Sequence, residues 1–535
     1  MPATMPLTWF RERRVLVALC VGLPLAEMWV VGACGIPSGL PLAGQAGAVG
    51  PLGVFHDLRW LFVFHDSVLW FLLGLGALVA GRSVVLALLV RSAWPGDPPP
   101  FGVLVRRALV VTPVAALLLS PWVTLLFGAA VIPLSWLYFA AVPPALGTVL
   151  LLSHGGIDGS WWRRLPPVRV AGWTALSFVV LSLSALGVDG RPPGVAAATL
   201  AATGLFNAWA WDRIVRVVVV WTPQRSRRLV PVTVLSVLAV FAAVWGGSRL
   251  GFATLSYQDP GAWERGGVEA GTRAVLLVGG FASGCCDEGP LVRGDEPGLY
   301  VEQFSYRGLT SGGIPVPHPG SATDADLARM ADLVAAQVDG LARRSGLPVA
   351  VVAESEGTLV VTAYLARYPE APVDRMMLLS PIVAPGRVSY PGPGREGLGV
   401  VAGYELRAVS ALIDSMAPFV VSADGPLTDS VRRLAASLRA EAHRDRPFVE
   451  EVAVVPLADA VTAPFDEGLS VEMIVVPGFH GGLRGRADIR DMIHRWVRGE
   501  DIRGSGVWLT VGRLISGGAS AWRVPGLEGT APGGY

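Results

Sequence analysis

Ala353-Glu354-Ser355-Glu356-Gly357 follows the apolar run 347–352 and precedes a helix-like run over 358–368. A strand, a small-x-Ser-x-Gly turn and a helix make the setting of a nucleophile elbow. The chain turns so sharply there that only small residues fit two before and two after the serine, and the strained turn pushes the hydroxyl into the open. A serine hydroxyl is a poor nucleophile unless a base removes its proton during attack, and an imidazole has a pKa suited to that task. Carboxylates and histidines are available downstream in the order such chemistry uses, so the motif predicts acyl transfer through a serine ester.

The elements that must position this serine begin at 274. Strand 274–278 runs into the loop Gly279-Gly280-Phe281-Ala282-Ser283-Gly284, and 299–306 reads as a second strand. After an Asp324 cap, Leu327, Met330, Val334, Val338 and Leu341 recur at helical spacing on one face. Strand 347–352, the elbow, helix 358–368 and strand 376–379 come next, the last ending at Ser380-Pro381. Residues 391–447 break the alternation with a Gly/Pro-rich opening and two helices, as an inserted cap would. Strands over 452–457 and 471–476 resume the sheet, and helices near 485–498 and 506–515 close the domain. Short strands alternating with amphipathic helices predict an α/β fold with a mostly parallel sheet.

Residues 274–500 resemble an α/β-hydrolase domain. That family places a nucleophile, an acid and a histidine after successive strands, in the order Ser, Asp, His. Ser355 matches the nucleophile, with Gly357 as the elbow glycine. Val454-Val455-Pro456-Leu457-Ala458-Asp459 resembles the strand-then-acid pattern and points to Asp459, with Asp466, Asp424 and Asp414 as alternatives. Val475-Val476-Pro477-Gly478-Phe479-His480 resembles the strand-loop-histidine pattern and points to His480. The family usually has His-Gly where Gly279-Gly280-Phe281 stands, and glycine is commoner than Ala353. The resemblance implies that His480 takes the serine proton and that Asp459 orients the imidazole. Backbone N–H groups of Glu356 and of Phe281 or Ala282 would receive the developing oxyanion, at about 3 kcal/mol per donor. No metal or organic cofactor is required.

Neighbouring residues have plainer readings. Glu354 and Glu356 are expected to point away from the pocket, one into the sheet's polar network and one to solvent. Cys285 and Cys286 are adjacent and could bridge only through a strained ring, so free thiols are expected. His318 and His443 are expected at the surface.

The first 248 residues are of another kind. The 535-residue chain has 52% apolar and 16% charged residues with a mean hydropathy of +0.51, and the apolar excess lies before about residue 248. Seven spans are expected, at 15–34, 67–90, 108–128, 131–152, 170–188, 195–211 and 229–247. The apolar stretch 108–152 would be about 67 Å long as one helix, so it must fold back near 128–133. The weakest span is 195–211, because Asp212, Arg213 and Arg216 interrupt the apolar sequence beyond it. Arginines at 11, 13, 14, 91, 106, 107, 163, 164 and 169 fall on one side, predicting a cytoplasmic amino terminus and an extracytoplasmic domain after 248. Val31-Gly32-Ala33-Cys34 loosely resembles a lipoprotein processing box, but Glu27 and six further spans argue for an anchor that stays. Glu27 is costly within its span and is expected to pair with Arg82 of the second. Val-Phe-His-Asp occurs at 54–57 and 63–66. That nine-residue offset puts the pairs on opposite helix faces, so an amphipathic helix at the membrane surface is expected rather than a metal site.

The sequence thus predicts an all-α transmembrane bundle (1–248), an α/β-hydrolase fold with a helical cap (249–525, cap 391–447) and a disordered tail (526–535). The expected protein is integral to a bacterial-type plasma membrane. It would cleave a hydrophobic acyl ester in contact with the lipid bilayer. An envelope acyltransferase with the same triad is one alternative, and a transporter or sensor with a non-catalytic hydrolase-like domain is another. A net charge of +1 gives no field for nucleic acid.

Overall fold

The computed structural model describes residues 7–221, part of 232–242, 273–285, 299–415, 420–463 and 471–526. The expected seventh span, the boundary near 248, Cys286, Asp466 and residues 527–535 lie wholly or largely outside these residues. A short helix α1 (Leu7–Glu12) leads into α2 (Arg14–Ala33). It is followed by α3 (Leu52–Val63), α4 (Val68–Ala93), α5 (Phe101–Val131), α6 (Ser135–Leu152), α7 (Val168–Leu186) and α8 (Pro193–Val220). Among the described residues five helices, α2, α4, α5, α6 and α7, are long and apolar enough to cross a bilayer, which is consistent with an integral membrane protein. The fold-back comes at Ile132-Pro133-Leu134, between α5 and α6.

Helix α8 covers the doubtful sixth span. It lies antiparallel to α2, with Gly204 pressed so close that a Cβ would stand 2.5 Å from the Cys20 carbonyl oxygen. Further along, Asp212 pairs with Arg13, ahead of α2, at 2.9 Å, and with Arg216 of its own helix at 2.8 Å. Asp212 and Arg216 are therefore paired within the bundle, whereas Arg213 is exposed, its guanidinium 5.8 Å from the Trp209 ring centroid.

Two expectations for this half are corrected. Helix α3 does not lie on a surface: Phe55, His56, Leu58, Arg59 and Phe62 are all buried. Glu27 does not meet Arg82 directly. Its Oε1 lies 2.8 Å from His56 Nε2, His56 Nδ1 lies 2.8 Å from Asp57 Oδ1, and Arg82 Nε donates to Asp57 Oδ2 at 2.6 Å. Counting residues along two spans gives their heights but not the helix that sits between them.

In the second half six strands form one parallel sheet: β1 (Arg273–Val278), β2 (Leu299–Gln303), β3 (Val349–Glu354), β4 (Val373–Leu379), β5 (Glu450–Pro456) and β6 (Glu472–Val476). Their order across the sheet is β2-β1-β3-β4-β5-β6. Alternate residues bury opposite faces. Ala274, Leu276 and Val278 pack with helices α9 (Leu327–Ser345) and α10 (Glu356–Arg367), while Val275 and Leu277 pack with Ile489, Ile493 and Trp496 of α13 (Ala487–Val497). The cap of α9 is Asp326 rather than Asp324, its carboxylate accepting Ala328 N–H at 2.9 Å, whereas Asp324 accepts Leu427 N–H.

The cap region contributes α11 (Val400–Asp414) and α12 (Pro426–Ala442). Leu427, Val431 and Leu438 of α12 join the core over α9 and α10. Helix α11 instead leans on the apolar bundle, where Glu405 accepts hydrogen bonds from Ser120 (2.8 Å) and Thr124 of α5. Gly399 N–H donates to His65 O, and Val401 N–H to His65 Nε2. The last helix, α14 (Gly506–Ala519), bridges the halves rather than only closing the sheet. Gly517 meets Leu186 of α7, and beyond it Trp522 stacks on Phe178 with ring centroids 4.2 Å apart. Arg59 donates to Ala521 O at 2.7 Å, to Arg523 O at 3.0 Å and to Gln45.

Candidate active site

Strand β3 is buried throughout and delivers Ser355 at its carboxyl end. Ser355 holds φ 54° and ψ −120°, a conformation costly for any residue with a Cβ. Its N–H donates to Leu379 O of β4 at 2.9 Å, which ties the turn down. The small neighbours have steric causes. A Cβ on Gly357 would lie 2.7 Å from Val278 O, and one on Gly280 would lie 2.9 Å from Ser355 Cβ.

His480 follows β6 in a loop where Gly478, Gly481 and Gly482 all have positive φ. Its Nε2 lies 2.8 Å from Ser355 Oγ, and its Nδ1 lies 2.9 Å from Asp459 Oδ2. Asp459 sits in a 3-10 turn (Leu457–Val461) after β5 and is buried. The structure thus brings together the three side chains singled out from the sequence, each at the carboxyl end of a parallel strand. The other acids are engaged elsewhere: Asp424 holds Arg407, and Asp414 accepts Val421 N–H.

Glu356 opens α10, so its N–H has no acceptor within the helix. In the facing loop, Ala282 N–H donates to Thr323 Oγ1 at 3.0 Å and so is not aimed at the serine, which leaves Phe281 as the candidate second donor. Tyr306 OH donates to Gly279 O at 2.6 Å and pins the same loop.

Both glutamates avoid the serine, but neither faces solvent. Glu354 is buried and accepts Leu483 N–H at 2.6 Å and Arg484 N–H at 3.4 Å. Glu356 is 2% exposed, and neither of its oxygens has a hydrogen-bond partner among the described residues. The nearby Thr323 hydroxyl directs its proton to Gly320 O. Burial, and to a lesser degree the Asp324 charge, hold the Glu356 carboxyl well above the usual carboxylate range. His318 is buried too, pairing its backbone with Cys285 and its ring edge with Tyr306, while His443 is exposed. Cys285 is disulfide-bonded rather than a free thiol, and Cys20 and Cys34 are free.

The sequence did not reveal how the histidine loop is supported. Ser380, buried with φ 47°, accepts Gly481 N–H at 3.1 Å, and Glu354 holds the turn beyond it. A buried serine at a strand end and an acid inside an apolar strand were the available signals. The turn that carries Asp459 also touches the apolar bundle: Thr462 Oγ1 donates to Asp459 O at 3.0 Å and stands 3.4 Å from Pro133 O, and Phe479 meets Phe139 of α6 edge-on at 5.7 Å. Compared with known proteins, the chain matches no family model and no curated relative.

Proposed function

We propose that this protein is a membrane-anchored serine hydrolase of the α/β-hydrolase type, acting on carboxylic esters through an acyl-serine intermediate. The observation that carries the reading is the unbroken chain Ser355 Oγ, His480 Nε2, His480 Nδ1, Asp459 Oδ2, at 2.8 Å and 2.9 Å. The strand order and the strained turn at Ser355 support it as well. In the first step Ser355 Oγ bonds to the ester carbonyl carbon while its proton passes to His480 Nε2. The tetrahedral oxyanion is received by Glu356 N–H and Phe281 N–H. As the carbon–oxygen bond breaks, His480 returns the proton to the leaving alcohol. Water then attacks the acyl-serine by the same route, releasing the acid and restoring the hydroxyl. If an alcohol takes the place of water, the same site acts as an acyltransferase.

We also place this half outside the cytoplasm. Its contacts with the bundle fall at His65, Ser120, Thr124, Pro133, Phe139 and Leu186, on the side away from the arginine-rich loops. Helix α8 crosses wherever α2 does, because the two run side by side, so the described helices make six crossings, and the placement takes the span expected from sequence at 229–247 as the seventh.

The test is labelling of membranes with a fluorophosphonate probe. Wild type is expected to label and Ser355→Ala to remain unlabelled, and equal labelling of both would remove Ser355 from the mechanism. A reporter fused after Tyr535 that is active only inside the cytoplasm tests the orientation, and a positive signal would reverse it.

A further inference from the structure

Phe479 immediately precedes His480 and is 67% exposed. Its one described aromatic partner is Phe139, which is itself 40% exposed. Phe139 stands one turn inside α6, about 6 Å along the axis from its start at Ser135. Helix α6 is one of the five bilayer-length helices. The edge-on pair therefore links the histidine loop to the side of a span, not to a loop above it.

This fixes the height of the chemistry. The His480 imidazole is next in chain to Phe479 and lies 2.8 Å from the serine hydroxyl. Thr462, at the end of the turn that carries Asp459, stands 3.4 Å from Pro133 O in the α5–α6 connection. Across the site Phe281 is 37% exposed, and Trp136, in the first turn of α6, is also 37% exposed. The hydroxyl thus sits beside the end of a membrane helix, with aromatic surface continuing from the site onto the bundle. Aromatic rings at that level suit the boundary between headgroups and hydrocarbon. A bilayer lipid carries its own ester groups at the same boundary, with its chains below.

Building on the serine-hydrolase reading, we infer that the substrate is a long-chain acyl ester resident in the bilayer. It reaches Ser355 sideways along α6, its chain passing over Phe139 and Phe479. The ester does not have to leave the membrane for attack, and the chain keeps its apolar surroundings while the carbonyl meets the hydroxyl. Phe139, on a span remote from the triad in sequence, is then a specificity-determining residue.

The test uses full-length protein in lipid nanodiscs, with two substrates: a water-soluble butyrate ester and a long-chain diacyl ester embedded in the disc. Fluorophosphonate labelling of Ser355 is measured in parallel. Phe139→Ala is expected to lower the ratio of long-chain to soluble turnover about tenfold, the scale on which apolar contacts discriminate substrates, and Phe139→Leu to restore most of it. A ratio unchanged in Phe139→Ala, or wild type that labels and cleaves the soluble ester but leaves the embedded one intact, overturns the inference and leaves the hydrolase reading standing. Absence of labelling at Ser355 in wild type overturns the hydrolase reading itself.

Discussion

Glu354 and Leu483 are joined by a 2.6 Å hydrogen bond from the Leu483 N–H to the Glu354 carboxylate. The residue before Ser355 therefore holds the turn beyond His480. The same carboxylate also accepts Arg484 N–H, so one side chain couples the ends of β3 and β6. Replacing it by alanine would strand two buried donors. Glu354→Ala is expected to cost about 3 kcal/mol of stability and to slow fluorophosphonate labelling by letting the His480 loop drift. Glu354→Gln, which keeps an accepting oxygen, should recover most of both. Thermal unfolding in detergent and labelling rates would read the two effects.

Asp459 lies 2.9 Å from His480 Nδ1, where it holds one tautomer. An amide at this position offers an N–H as readily as an oxygen and admits the wrong tautomer. Asp459→Asn is expected to reduce ester turnover on the order of 10⁴-fold with little change in stability. An effect below about tenfold, measured with a soluble ester, would mean that this acid does not serve the histidine.

Glu356 supplies a pH signature. Its carboxyl is held well above the ordinary value of 4.5 by burial first and the Asp324 charge second, with Thr323 and Tyr306 as its polar surroundings. The folded state keeps this proton while the unfolded chain loses it near 4.5. The associated stability is therefore complete below that pH and is lost as pH rises through the folded value. Glu356→Gln should flatten this decline, so the difference in melting temperature between variant and wild type is expected to grow from pH 4.5 upward. A constant difference across that range would show that the group is ionised when folded.

Gly357 has no space for a side chain, since a Cβ would stand 2.7 Å from Val278 O and 2.8 Å from Gly279 O, both backbone atoms. Gly357→Ala should push α10 away from the loop that carries Phe281. A loss of about 1–3 kcal/mol and slower labelling are expected, as read by unfolding curves and probe kinetics.

The strands and the helices around them were legible because each buries a regular face: Leu327, Met330, Val334 and Val338 repeat at helical spacing, and 274–278 and 347–352 are short apolar runs. The meeting of residues 355, 459 and 480 was expected through the resemblance to a family that sets its nucleophile, acid and histidine after successive strands, and the parallel sheet brings those strand ends to one edge. The features that stayed hidden depend on partners far along the chain. Helix α3 reads as amphipathic from its own residues, yet Val401, Ala521 and Arg523 supply bonds to its polar groups and to His65 just beyond it. His318 reads as a surface residue in a Pro-rich loop, but Cys285 and Tyr306 cover it.

Arg59 has a consequence for how the molecule is made. Its guanidinium is wholly enclosed, and its acceptors besides Phe55 O are Gln45 and the carbonyls of Ala521 and Arg523. Those carbonyls are synthesised more than four hundred residues later. Until the ribosome reaches them, the cation cannot be sealed inside the bundle without a heavy desolvation cost. The seam around Arg59 therefore stays open until residues 521–523 arrive, and that one segment joins the helical bundle to the sheet-bearing half.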